Sequence, residues 1–239
     1  MVVWALQNLS LPVITTGMET STLIIAPSVL SADFSNIKNE VESINDSGAQ
    51  WVHLDVMDGM FVPNITFGPK FIQDLRNHSD LVFDTHLMIE QPERYIDHFS
   101  ECGSDYITVH KEATVHLHRT LQMIKDRNVK AGVSLIPSSS VMEIEPVLDM
   151  VDLILVMTVN PGFGGQKLIP STLEKIKELD RIRKERNLKY LISVDGGVNL
   201  QTVKQIADCK ADIAVCGSAF FGASDRKRFV SDLKRTAQS

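Results

Sequence analysis

The sequence predicts a (β/α)8 barrel, the TIM-barrel fold, because short apolar segments alternate with amphipathic segments along most of its length. Eight segments rich in Val, Ile and Leu have the length and composition of strands, and amphipathic stretches that open with polar residues separate them. Alternating strands and helices build a parallel sheet, and eight such units within residues 23–239 fit a compact barrel.

The predicted elements can be placed in chain order. The strands are predicted from β-branched and apolar runs at 23–30, 51–57, 81–88, 106–110, 130–136, 153–159, 191–195 and 213–217. The helices are predicted from amphipathic stretches at 36–47, 93–101, 117–127, 171–187, 200–207 and about 225–236. A doubly wound open sheet is the alternative. It usually has a glycine-rich turn after its first strand, whereas residues 31–35 contain no glycine.

The chain is predicted to be one catalytic domain preceded by an extension. No linker-like change of composition occurs after residue 22, so residues 23–239 are expected to form a single barrel. The first charged side chain is that of Glu19, and the preceding residues lack the basic region of a secretory signal and the arginines of a transit peptide. We expect residues 1–22 to be a disordered extension or the product of an upstream start codon, with Met18 as an alternative start.

Composition excludes several classes of protein. The chain has 239 residues, 44% of them hydrophobic, and a formal net charge of −6 without basic clusters, which argues against nucleic-acid binding. Its apolar segments are too short to span a membrane. The three cysteines, an odd number without a CxxC pair, favour a reducing compartment, and we expect the cytoplasm.

The second predicted strand has a polar face. Residues two apart in a strand point the same way, so His53, Asp55 and Met57 are expected to share one face. Polar groups at the carboxyl end of a barrel strand are typical of an active site. An imidazole beside a carboxylate indicates a metal ion next to a group that can move a proton.

Two more predicted strands end in potential metal ligands. His86 lies near the end of the third strand and Asp195 ends the seventh. With His53 and Asp55 they form a plausible four-ligand set for Zn²⁺ or another divalent first-row metal. Taken alone, His53 could equally be a hydrogen-bonded core residue, and for His86 alone the core interpretation is the favoured one. The joint occurrence of all four residues favours the metal site.

Glycines and methionines mark the remaining strand ends. Glycine clusters at 162–165, 196–197 and 217 follow strands six, seven and eight, where barrels often bind phosphate through backbone N–H groups. Met57, Met88 and Met157 also lie near strand ends. Methionine usually fills cores, but here it could instead form a polarisable, water-poor lining beside the reaction.

Five motifs together resemble the ribulose-phosphate 3-epimerase family. They are His-Leu-Asp-Val-Met-Asp-Gly (53–59), Phe-Val-Pro-Asn-Ile-Thr-Phe-Gly (61–68), Asp-Thr-His-Leu-Met (84–88), Val-Met-Thr-Val-Asn-Pro-Gly-Phe-Gly-Gly-Gln (156–166) and Val-Asp-Gly-Gly-Val (194–198). The resemblance covers about residues 23–236. It implies a barrel of the ribulose-phosphate-binding type that interconverts D-ribulose 5-phosphate and D-xylulose 5-phosphate in the pentose phosphate pathway.

The resemblance also implies roles for individual residues. It implies one divalent metal ion (Zn, Fe, Mn or Co) held by His53, Asp55, His86 and Asp195, with Asp55 and Asp195 as the acid–base pair. The implied substrate contacts are Ser28, Met57, His86, Met88, Met157, Gly162, Phe163, Gly164, Gly165, Gly196, Gly197, Gly217 and Ser218. A homo-oligomer is expected. Residues 136–140 and 219–221 depart from the family pattern, which leaves the contribution of strand five open.

Three alternative functions were compared with the sequence. Related enzymes epimerise allulose 6-phosphate, but they carry Pro-Gly-Phe-Ala-Gly and Asp-Gly-Ser where this chain has Gly164 and Gly197. Lyases of the orotidine-monophosphate decarboxylase type require a lysine that strand two lacks. A sugar-phosphate sensor on the same barrel would be favoured by a lost metal ligand, and all four are present.

Overall fold

The computed structural model describes residues 22–239 and confirms the barrel. Eight parallel strands form one sheet in the order β1-β8-β7-β6-β5-β4-β3-β2. A parallel bridge between Ser28 and His53 brings the two ends of the sheet together. The predictions for residues 1–21 lie outside the described residues. The strands are β1 (Ile24–Pro27), β2 (Trp51–Met57), β3 (Val82–Met88), β4 (Tyr106–His110), β5 (Lys130–Leu135), β6 (Leu153–Met157), β7 (Leu191–Asp195) and β8 (Ile213–Cys216).

The helices surround the sheet. They are α1 (Ile37–Ser47), α2 (Pro69–Arg76), α3 (Ile96–Glu101), α4 (Leu117–Asp126), α5 (Leu173–Glu185), α6 (Val203–Asp208), α7 (Ser218–Phe221) and α8 (Arg226–Gln238). Between β5 and β6 the chain forms two short 3-10 segments, Val141–Glu143 and Glu145–Val147. No helix among residues 22–239 is long and apolar enough to cross a membrane.

The two faces of each strand have different neighbours. Outward-facing side chains such as Val52, Leu54 and Val56 are buried in the large core shared with the helices. Inward-facing side chains such as Leu153, Leu155 and Val215 fill the barrel interior. Because residues alternate between the two faces, the inward face of β2 presents His53, Asp55 and Met57 in succession toward the carboxyl end of the barrel.

Several element boundaries differ from the prediction. Strand β1 ends at Pro27, because the Ser28 side chain accepts a hydrogen bond from Leu30 N and caps a short 3-10 segment. Helix α2 was not predicted, although Pro69 suits its first turn, where the missing N–H costs nothing. Helix α6 begins at Val203 rather than near residue 200, because Asn199 and Thr202 form a hydrogen-bonded turn before it.

Candidate active site

Four potential metal ligands meet near the carboxyl ends of the strands. One side-chain ligand atom from each of His53, Asp55, His86 and Asp195 lies within 4.8 Å of all the others. Asp55 lies between the histidines: its Oδ1 is 3.2 Å from His53 Nε2 and 3.0 Å from His86 Nδ1. Both histidines are fully buried. The structure therefore brings together the four residues that the sequence singled out on three strands.

The buried carboxylate of Asp84 orients the His53 ring. Its Nδ1 lies 2.9 Å from Asp84 Oδ2, and Asp84 is buried on the neighbouring strand β3. A carboxylate accepts hydrogen bonds, so this contact places a hydrogen on Nδ1. The opposite nitrogen, Nε2, is buried and has no hydrogen-bond partner. A buried polar atom without a partner is costly, and a metal ion in the cluster would satisfy it. The donor set of two imidazoles and two carboxylates fits a divalent first-row metal.

His86 is held between Asp55 and a residue of strand β4. Its second ring nitrogen, Nε2, lies 2.8 Å from His110 Nε2. His110 is fully buried, and its Nδ1 lies 3.3 Å from Glu112 Oε2. Sequence reasoning missed His110, Glu112 and Asp84. The available signals were the His-x-Glu spacing at the end of strand four and the spacing of two between Asp84 and His86.

The two candidate acid–base carboxyls have pKa values shifted in opposite directions. Burial opposes ionisation of Asp55, but His53 and His86 hold the pKa of Asp55 well below its usual range. Burial and the nearby Asp55 carboxylate raise the pKa of Asp195 to about 7. At neutral pH one carboxyl is therefore ionised while the other can hold a proton, which is the arrangement needed for an acid and a base in one site.

The histidines also differ in their preference for a proton. Burial opposes a charge on His53, but the Asp55 and Asp84 carboxylates outweigh burial and raise the pKa of His53 well above its usual value. Burial lowers the pKa of His86 to about 4 and also lowers the pKa of His110. The neutral state of His86 leaves one ring nitrogen free to bind a metal ion.

A cavity of about 440 Å³ opens above the cluster. Asp55 and Asp195 form part of its floor, and Ser28 Oγ donates to Asp55 Oδ2 at 2.5 Å. Three buried methionines of β2, β3 and β6 line it: Met57, Met88 and Met157. The methionines predicted either as core filler or as a lining therefore border the cavity.

The glycine loops line the same cavity. Its wall includes the predicted contacts Gly162, Phe163, Gly164, Gly165, Gly196, Gly197, Gly217 and Ser218. Among the described residues that line it, Lys167 alone is basic, and sequence reasoning did not select it. His53 and His86 lie behind Asp55 and are not part of the lining, so a direct contact between His86 and substrate stays a prediction.

The neighbouring loops support the site. Asp58 points away from the cluster, and its carboxylate accepts hydrogen bonds from the backbone N–H groups of Met60, Phe61 and Glu90. It therefore shapes the turn at Gly59. The unusual segment 136–140 after β5 also has a defined place, because Ser139 Oγ donates to Glu112 Oε1. The segment that follows strand five thus contacts Glu112, which in turn contacts His110.

Comparisons with known proteins agree with this geometry. The model of the ribulose-phosphate 3 epimerase family matches residues 24–221. The chain is 52% identical over 211 residues to a ribulose-phosphate 3-epimerase of Bacillus subtilis, covering 88% of this chain and 97% of the relative. It is 49% identical over 208 residues to the Treponema pallidum enzyme of that name, covering 87% and 95%.

A solved structure shows the same fold at low sequence identity. The crystal structure of KGPDC from Streptococcus mutans superposes with a TM-score of 0.67 at 16% identity, covering 91% of this chain and 98% of that chain. At that identity the likeness concerns the barrel alone. The family match and the curated relatives go further: the chain belongs to the ribulose-phosphate 3-epimerase family and is an epimerase.

Proposed function

We propose that this epimerase interconverts D-ribulose 5-phosphate and D-xylulose 5-phosphate by moving a proton at C3 between two carboxyl groups. One observation carries the proposal: Asp55 and Asp195 bring carboxylate oxygens within 4.8 Å of each other, and the pKa values of the two carboxyls are shifted in opposite directions. Inverting a carbon next to a carbonyl requires removal of a proton from one face and return of a proton to the other. Two groups, one in each protonation state, satisfy that requirement.

The proton transfers follow from the states of the two carboxyls. Ionised Asp55 takes the C3 proton, and the electron pair moves toward the C2 carbonyl to form a 2,3-enediolate. Protonated Asp195 then returns its proton to C3 on the opposite face. In the reverse direction the roles exchange. Ser28 donates to Asp55 Oδ2, so it orients the base and tempers its basicity.

His53, Asp55, His86 and Asp195 are the residues that would hold a divalent metal ion. When bound, such an ion supplies positive charge that stabilises the negative oxygens of an enediolate. The two histidines are buried and oriented by Asp84 and His110, so they contribute ligand atoms rather than moving protons. The choice among Zn²⁺, Fe²⁺, Mn²⁺ and Co²⁺ is open to the same donor set.

The remaining parts of the cavity suit a sugar phosphate. The backbone around Gly197, Gly217 and Ser218 can approach an anion closely, and Lys167 adds a positive charge. Binding energy from a phosphate remote from C3 can position the reacting carbon. Met57, Met88 and Met157 provide an apolar wall that limits the access of water to the intermediate.

The test is an epimerase assay of the purified protein with two substrates. D-Ribulose 5-phosphate should turn over with a kcat/KM at least tenfold above that of D-allulose 6-phosphate, because Gly164 and Gly197 favour the pentulose. Preference for the hexulose would replace the proposed substrate. Binding without turnover of either sugar would favour a sensor. A cytoplasmic location, a role in the pentose phosphate pathway and a homo-oligomeric state belong to the same proposal.

A further inference from the structure

A network of hydrogen-bonding groups runs from the four-residue cluster to the loop after β5, and the proposed reaction does not use it. His86 Nε2 lies 2.8 Å from His110 Nε2, and His110 Nδ1 lies 3.3 Å from Glu112 Oε2. The other carboxylate oxygen, Glu112 Oε1, accepts hydrogen bonds from Ile136 N at 3.2 Å and from Ser139 Oγ. This network therefore links residues of β3 and β4 to the segment that follows β5, behind the site.

Two neutral histidines supply only two hydrogens to the three contacts of this network, because the carboxylates at its two ends, Asp55 and Glu112, both accept. Asp55 therefore competes with Glu112 for a hydrogen, and a metal ion bound to His86 Nδ1 would require that the contact with Asp55 be the one without it. In that arrangement His110 Nδ1 donates to Glu112, which also accepts from the backbone N–H of Ile136. A neutral His110 then has its lone pair on Nε2. The two facing ring nitrogens need one hydrogen between them, and His86 must supply it from Nε2.

The direction of these hydrogen bonds determines which ring nitrogen of His86 has a lone pair facing the cluster. With its hydrogen on Nε2, neutral His86 has a lone pair on Nδ1, and that atom faces Asp55 Oδ1 at 3.0 Å. His53 directs its Nε2 at the same carboxylate oxygen, because its Nδ1 donates to Asp84 and the unpartnered Nε2 lies 3.2 Å from Asp55 Oδ1. A cation bound between Asp55 and the two rings would accept a lone pair from each ring in place of any proton held there.

We propose that His110 and Glu112 are positioning residues that fix the tautomer of His86, so that its Nδ1 is ready to bind a metal ion. The inference rests on the metal-binding part of the proposed function. It assigns a role to the His-x-Glu pair at the end of β4 and to Ser139 in the unusual segment after β5. Partners that orient metal-binding histidines commonly change metal affinity by about 10–100-fold when they are removed.

The substitution Glu112→Gln tests the direction of the hydrogen bonds in this network, because glutamine has nearly the same shape as glutamate. Ile136 N–H still requires an acceptor, so the amide oxygen faces Ile136 and Ser139, and the amide NH2 group faces His110 Nδ1. His110 must then accept at Nδ1 and donate from Nε2, which makes His86 accept at Nε2 and carry its hydrogen on Nδ1. The ligand atom is thereby blocked. The matched control is Glu143→Gln, which removes the same charge from a nearby carboxylate that pairs with Lys111 and does not contact His110.

The first readout is the tautomer of His86 in metal-free protein, measured from the 15N shifts of its ring nitrogens. Wild type and Glu143→Gln should carry the hydrogen on Nε2, and Glu112→Gln should carry it on Nδ1. The second readout is Zn²⁺ affinity from competition with a chelator. Glu112→Gln should bind about 10–100-fold more weakly than wild type, and Glu143→Gln should bind within about twofold of it.

The inference is overturned if folded Glu112→Gln keeps both the wild-type tautomer and the wild-type Zn²⁺ affinity. Should Glu112→Gln fail to fold, His110→Phe serves instead, because it keeps a ring against Phe61 (4.7 Å between centroids in wild type) and removes the acceptor for His86. It should lose about tenfold or more in Zn²⁺ affinity, and unchanged affinity would overturn the inference. Neither readout uses substrate, so a wild type with the Nε2–H tautomer but no epimerase activity would reject the proposed function and leave the tautomer inference standing.

Discussion

Replacing Gly197 by alanine should damage the side of the cavity that we propose binds phosphate. The damage should be far greater than that from an alanine placed at an equally strained but open glycine position. Gly197 has φ +69°, and a Cβ atom there would lie 2.4 Å from Leu168 N and 2.8 Å from Leu168 Cα. Both are backbone atoms, so a rotamer change cannot relieve the overlap. Ordinary contact requires about 3.5 Å, so the two backbone segments must separate by roughly 1 Å. The matched control is Gly48→Ala, since Gly48 has φ +83° and nothing within 4 Å of the added Cβ.

The expected magnitudes follow from that difference. Left-handed strain costs each variant about 1 kcal/mol of unfolding free energy. Forced separation costs Gly197→Ala about 1–3 kcal/mol more. A displacement of about 1 Å in a binding loop can also lower kcat/KM by about 100-fold, whereas Gly48→Ala should keep wild-type kinetics. Urea unfolding and a coupled assay with D-ribulose 5-phosphate measure both effects. Equal stability and equal kcat/KM in the two variants would refute the proposed close approach at Gly197.

The remaining predictions concern the cluster and the thiols. Asp55→Asn and Asp195→Asn should each lower kcat by about 10²–10⁴-fold with unchanged circular dichroism. Asp74→Asn, on the exposed face of α2 where Asp74 pairs with Lys70, should stay within about threefold of wild type. Near-normal turnover in either cluster variant would exclude two-carboxyl transfer. Prolonged chelation should abolish activity, and an added divalent metal should restore it. Full activity at a measured metal content of zero would exclude a role for a metal ion in the reaction. Burial raises the pKa of Cys216 to about 12 and also raises the pKa values of Cys102 and Cys209. At pH 8 a thiol reagent should therefore label none of the three cysteines until urea unfolds the protein. Rapid labelling of the native protein would contradict their burial.

Much of the fold could be predicted because local pattern determines it. Strands β2, β4 and β7 have the bounds that alternation and β-branched runs predict. Helix α2 was not predicted, because Gly68-Pro69 resembles a break in the chain although proline at a first turn is compatible with a helix. The short 3-10 segment after Ser28 depends on a side-chain cap, and apolar periodicity does not reveal such a cap.

The site was predictable only in part. His53, Asp55 and Asp195 could be selected because strand parity places them on inward faces at strand ends. The contribution of His110 depends on register between neighbouring strands: His86 pairs with Thr108, so His110 lies one inward position further along β4. A single sequence does not reveal that register, and it does not show that Ser139, some 27 residues later, reaches Glu112.

The most direct test of the two-carboxyl reaction is the fate of the C3 hydrogen in D2O. In the wild type, each D-xylulose 5-phosphate formed from D-ribulose 5-phosphate should carry one deuterium at C3, because the returned proton comes from a second group equilibrated with solvent. The Asp195→Asn variant should still exchange the C3 hydrogen of one epimer while its epimerisation falls by about 100-fold or more. Product formed without deuterium, or wild-type epimerisation by that variant, would contradict the account.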